Sequence, residues 1–132
     1  MLNKNPDNGY MYELCAGIVD KECSLKQIAK EEILEECGYD VPLEKIKKIS
    51  SFYTAVGISG THQTLYFAEI DERMRVNEGG GIDEEEIEVV FIPLREAKSF
   101  MFDEQYQKTT GVSLAFYWFF DTKRGGQPLN LK

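Results

Sequence analysis

Apolar and polar positions alternate along this chain in a way that predicts short strands interleaved with helices. Met11 to Val19 reads as a strand, entered from a polar, turn-rich start at Asn3 to Gly9. If Ser24 starts the next helix, a turn of ~100° per residue places Leu25, Ile28, Ala29 and Ile33 on one apolar arc. Ser24 and Gln27 form a capping box of the S-x-x-Q type, and Gly38 fits the position that ends the helix. Ile46 to Ala55 and Thr64 to Ile70 are further strands around a Gly57 to Gly60 turn, with weak alternation of Gln63, Leu65 and Phe67 against Thr64, Tyr66 and Ala68. Glu86 to Ile92 predicts a short strand closed by Pro93. Leu94 to Phe102 predicts a helix with Leu94, Ala97 and Phe100 or Met101 on one side. Thr110 to Phe120 is apolar nearly all round, as in a buried or dimer-facing helix. There is no internal repeat and no low-complexity segment.

One feature of the first helix does not fit a simple amphipathic pattern. Glu32 and Glu36 fall inside its apolar arc, and Glu35 shares their face through i+3 and i+4 spacing. An unpaired carboxylate in such a place costs several kcal/mol or takes up a proton, so the pair asks for a cation. A hard, oxygen-preferring ion such as Mg²⁺ satisfies it. The alternative is a solvated acidic face paired with lysines.

The residues around these glutamates carry a family resemblance. The Nudix box has the pattern G-x5-E-x7-R-E-U-x-E-E-x-G-U, with U apolar, and residues 17–39 resemble it closely. Gly17 matches the first glycine; Glu32, Ile33, Glu35, Glu36 and Gly38 match the second half in register, and Tyr39 stands at the last apolar position. Cys23 replaces the first Glu, with Glu22 next to it, and Glu31 replaces the Arg. Glu13 to Gly17, Gly57 to Thr64, and Gly79-Gly80-Gly81 ahead of an acidic run resemble the UDP-sugar pyrophosphatase branch, a relative of the ADP-ribose pyrophosphatases. The latter carry a proline soon after the box, where Val56 stands here, which favours the nucleotide-sugar branch.

The resemblance implies an α/β fold, the Nudix α/β/α sandwich with a mixed sheet, and one domain over residues 1–132. It also implies hydrolysis of the pyrophosphate of a nucleoside diphosphate sugar, UDP-glucose giving UMP and glucose 1-phosphate. The cofactor would be Mg²⁺, with Mn²⁺ as a substitute. By similarity Glu32 and Glu36 are the principal metal ligands, Ala16 a backbone ligand through its carbonyl, and Glu35 an additional ligand or catalytic base. The last ligand or base would come from the run Asp83 to Glu88, with Glu85 first choice and Asp83 second. The branch carries a substantial amino-terminal region before the box, whereas this chain reaches Gly17 almost at once. A short form, a fragment or strands supplied by a partner are the alternatives, and an unpaired sheet edge favours a homodimer.

Bulk properties narrow the setting. The chain has 132 residues, 42% of them hydrophobic, enough for one core. It has no apolar run near the ~18 residues of a membrane span and no secretory leader pattern, so a cytoplasmic protein without membrane contact is expected. Cys15, Cys23 and Cys37 make no C-x-x-C pair and are expected as reduced thiols. With a single His, a zinc site is not expected. The formal net charge of −8, without a basic patch beyond Lys45, Lys47 and Lys48, argues against nucleic acid as partner. His62 and the glycines at 57, 60 and 79–81 are candidates for approaching a phosphate or sugar. Two other readings compete: a catalytically impaired Nudix-like binding or dimerisation module, and an ADP-ribose pyrophosphatase.

Overall fold

In the computed structural model, residues 9–20, 22–58, 60–82, 84 and 86–123 are described. They belong to two compact units, one from Cys15–Val89 and one from Met1–Leu14 with Val90–Lys132.

The first unit is organised by helix α1, Leu25–Glu32. Ser24 caps it, its side-chain oxygen accepting from the Gln27 N–H at 3.1 Å. The return half of the capping box is not made, because the Gln27 amide reaches Glu31 Oε1 at 3.4 Å instead. After Glu32 the chain widens into a π-helical turn, Ile33–Cys37, and stops at Gly38, which takes the left-handed conformation at φ 81°. Uniform α-helical spacing does not predict that turn.

A hairpin follows. Strand β1, Ile46–Thr54, pairs antiparallel with β2, Thr61–Ala68, and the register steps by one residue at Lys48/Ser50, which makes Ile49 a bulge. The base of the hairpin packs on α1: Tyr39, Val41 and Ile46 are buried, and Ala29, Ile33, Cys37, Tyr66, Ala68 and Met74 close around them. Of the apolar arc, Ile28 is buried and Ala29 and Ile33 are half-buried, while Leu25, in the first turn, stays exposed. Lys30 ties the helix to the next segment, donating to Asp40 Oδ1 at 2.5 Å and to the Val41 carbonyl at 2.7 Å. His62 lies in β2, not in the turn, and faces Tyr53 across the ladder with ring centroids 4.7 Å apart.

The second unit is aromatic. Helix α2, Leu94–Phe102, buries Ala97, Phe100 and Met101, and helix α3, Thr110–Lys123, buries Val112 and Phe120. Leu94 opens α2 and points to solvent, and Leu114 and Tyr117 are exposed on α3. Tyr12 forms a parallel bridge with Lys108 and stands edge-on to Phe100 at 5.1 Å, which also meets Phe116 at 5.5 Å. Lys108 crosses the Phe100 ring at 5.2 Å and donates to the Asp103 and Tyr106 carbonyls. Desolvation there pushes its ammonium pKa down.

Two expected strands do not form among the described residues. Within Met11 to Val19, Tyr12 pairs through its bridge with Lys108 and residues 13–19 join no ladder; Asp20 N–H turns back to the Ile18 carbonyl at 3.0 Å, and Glu86 to Ile92 joins no ladder either. A strand needs a hydrogen-bonded neighbour as well as apolar side chains, and composition does not provide one. The described sheet is therefore the two-stranded antiparallel β1–β2 pair, a mixed helix and strand arrangement smaller than the sandwich that the family resemblance implies.

Candidate functional site

The acidic residues of α1 and its π-turn are half-buried, and two of them meet the same stretch of backbone. Glu36 Oε2 accepts from the Ala16 N–H at 3.0 Å. Glu32 lies so close over Gly17 that a Cβ built there would overlap its carboxylate. In this chain the space of a side chain at Gly17 is filled by the glutamate, so a larger residue would require Glu32 to move. Two carboxylates separated by one turn are brought to consecutive residues, Ala16 and Gly17. Contact with Ala16 runs through its N–H.

Glu35 stands between them in the π-turn, half-buried. Glu85, and Asp83 beside it, lie outside the described residues. Among the described residues no three acidic, His or Cys side chains gather closely enough to enclose a metal ion. The side chains that meet the Ala16–Gly17 backbone offer carboxylate oxygens, the donor type that suits Mg²⁺ or Mn²⁺.

Two cysteines border this contact. The Cys15 thiol is pushed well above its ordinary range, first by a hydrogen bond to Cys37, then by burial of the sulfur although the residue as a whole is exposed, with the negative charge of Glu36 adding to both. Cys37 is correspondingly lowered by the hydrogen bond from Cys15. All three cysteines are free thiols. The spacing of Cys15 and Cys37 gives no hint of this meeting.

Gly79-Gly80-Gly81 does not form a cradle for phosphate. Its three N–H groups are already engaged: Gly79 with Asn77 Oδ1 at 2.7 Å, Gly80 with the Glu36 carbonyl at 2.8 Å and Gly81 with the Glu35 carbonyl at 3.0 Å. Sequence reasoning missed this role; the signal was a glycine run of matching length after a helix whose end needs partners.

Comparison with known proteins adds the context. No model of a protein family matches the chain. The chain is 41% identical over 115 residues to the uridine diphosphate glucose pyrophosphatase NUDT14 of Bos taurus, covering 85% of this chain and 52% of that protein. The Mus musculus protein of the same name is 39% identical over the same shares. A GDP-mannose pyrophosphatase of Cronobacter sakazakii is 43% identical over 96 residues, 73% of this chain and 48% of its own. This chain is a Nudix homologue. It spans about half the length of these relatives.

Within the Nudix box the two departures have local explanations. Glu31, at the Arg position, takes the Gln27 amide. Cys23, at the first Glu position, is exposed. The Lys30 ammonium, the basic group beside Glu31 in sequence, is held by Asp40 and Val41. No helix among the described residues is long and apolar enough to cross a membrane.

Proposed function

We propose that this chain carries the catalytic centre of a divalent-metal-dependent pyrophosphatase of nucleoside diphosphate sugars, converting UDP-glucose to UMP and glucose 1-phosphate. The observation that supports it most is the seating of Glu32 and Glu36 on Gly17 and Ala16. Carboxylates kept half-buried against backbone are held in position for a cation instead of fanning into water.

Mg²⁺, or Mn²⁺ in its place, would be held by Glu32 and Glu36, with the Ala16 carbonyl and Glu85 completing the set. Such an ion supplies charge neutralisation at the phosphoryl oxygens and acidifies the attacking water. The chain's own part is positioning and proton handling. Ala16 N–H fixes one oxygen of Glu36 by a hydrogen bond to a charged acceptor. Glu35 and Glu85 are the candidates for taking the proton of the attacking water. With a net charge of −8, the protein repels a pyrophosphate at a distance, so the cation is also needed for substrate capture.

Uridine is preferred in this reading, because the match to the NUDT14 proteins covers 85% of the chain and that to the GDP-mannose enzyme 73%. The test is a panel of UDP-glucose, GDP-mannose and ADP-ribose at saturating Mg²⁺, with products identified by chromatography. UMP and glucose 1-phosphate formed fastest supports the proposal. Fastest turnover of ADP-ribose reassigns the substrate, and a folded, Mg²⁺-binding chain that yields no product leaves the non-catalytic module.

A further inference from the structure

The carbonyls of the last turn of a helix have no partners within the helix and turn to water, a side chain or another segment. Here residues 76–81 run back along the helix end and supply N–H donors. Val76 and Asn77 donate to the Gly38 carbonyl at 2.8 and 3.3 Å, Gly80 to Glu36 at 2.8 Å and Gly81 to Glu35 at 3.0 Å. The last two bonds fall on the backbone of Glu36, a proposed ligand of the ion, and of Glu35, a candidate base or additional ligand. Between them the approach is too close for a side chain: a Cβ on Gly79 would overlap the Glu36 carbonyl oxygen, and its φ of +74° is one that other residues rarely adopt. The Asn77 amide holds the bend by accepting from Gly79 N–H at 2.7 Å.

The same segment is the root of the acidic loop. A Cβ on Gly80 would lie 3.5 Å from the Ile87 carbonyl, so the chain that departs at Gly81 returns beside Gly80 after its acidic run. We propose that Asn77–Gly81 is a positioning strap, which clamps the backbone beneath Glu35 and Glu36 and thereby sets their carboxylates for a divalent cation. The proposal rests on the metal reading above and extends it to residues outside the Nudix box. The strap touches neither substrate nor ion; it acts through the π-turn, a rare single-turn departure from the α-helix.

The test uses two variants at Asn77, an exposed residue. Asn77→Ala removes the acceptor that holds the bend, and Asn77→Asp keeps an oxygen in its place. Mn²⁺ binding is followed by electron paramagnetic resonance, and UMP release from UDP-glucose is measured across Mg²⁺ concentrations. Asn77→Ala is expected to weaken Mn²⁺ binding about tenfold, in the range of changes to residues that support metal ligands. It should raise the Mg²⁺ needed for half-maximal turnover to match, leave the KM for UDP-glucose at saturating Mg²⁺ within about twofold of wild type, and speed amide exchange at Gly80 and Gly81. Asn77→Asp should restore Mn²⁺ affinity to within about twofold of wild type.

Unchanged Mn²⁺ affinity in a folded Asn77→Ala protein whose Gly80 and Gly81 amides exchange faster would overturn the strap, as would a wild-type chain that binds no Mn²⁺. Gly79→Ala is the stronger variant and should reproduce the loss of affinity at wild-type helix content. Mn²⁺ binding that responds to Asn77 in a wild-type chain without UMP release would refute the pyrophosphatase reading and leave the strap standing.

Discussion

At the acidic helix end, Gly17, Gly38 and Gly79 each stand where a Cβ would overlap a neighbour, whereas at the tip of the β1–β2 hairpin Gly57 and Gly60 have nothing within 4 Å of that position. Both regions look alike in sequence, as glycine-rich stretches beside a suspected phosphate site. In the structure one is a packed junction and the other an open turn. The junction joins the Ala16–Gly17 backbone, the π-turn and the strap into one unit, so geometry at the glutamates depends on residues far apart in the chain. The hairpin tip depends on its own few residues.

The largest effect should come from the carboxylates themselves. Glu36→Gln keeps the shape and an acceptor for Ala16 N–H but lowers the charge available to a cation. UMP release is expected to fall about 100-fold, at the upper end for changes near a metal site, with unchanged circular dichroism. Full turnover in that variant would remove the metal cluster from the account.

Gly17→Ala probes the packed junction alone. The new methyl group must displace the Glu32 side chain, and we expect a roughly tenfold loss of turnover with a much smaller change in melting temperature. A change confined to stability would reduce Gly17 to a packing residue. Ser24→Ala acts on the start of the same helix, where its loss as a cap should cost about 1 kcal/mol in urea unfolding.

Beyond the hairpin, the Asp71 side chain caps a short turn and receives Arg73, whose hydrogen bond holds the carboxyl below its ordinary 3.8. A carboxyl lowered on folding contributes stability above its unfolded value and loses it as pH falls through the folded one. Asp71→Asn should therefore reduce the acid-side slope of stability against pH, and leave it unchanged only if the exposed pair is fully screened. Gly57→Ala should do least, changing stability by no more than about 0.5 kcal/mol and turnover not at all. A tenfold loss of turnover there would show that the hairpin tip touches substrate and would end the contrast between the two regions.

Much of the frame around the candidate site was legible in the chain because it is local. The N-cap at Ser24, the stop at Gly38 and the apolar arc of Ala29 and Ile33 are set by neighbours within a few positions, and helix α2 was predicted at its observed limits, Leu94–Phe102. Strand β1 also fell within a residue of expectation, and β2 began three residues early, at Thr61. What escaped were relations between distant segments. The π-turn departs from regular helical spacing, and Met11 to Val19 and Glu86 to Ile92 have strand-like composition without forming a strand. The glycine run at 79–81 was open to several readings until its three donors were traced to Asn77, Glu36 and Glu35.

Carboxylates at this helix end are proposed to hold a cation for pyrophosphate cleavage. The most direct measurement is UMP release from UDP-glucose by the 132-residue chain at mildly alkaline pH, with Mg²⁺ and with Mg²⁺ removed by chelation. UMP and glucose 1-phosphate are expected only when Mg²⁺ is present. Equal turnover without the metal, or none from a folded chain supplied with it, would contradict the claim.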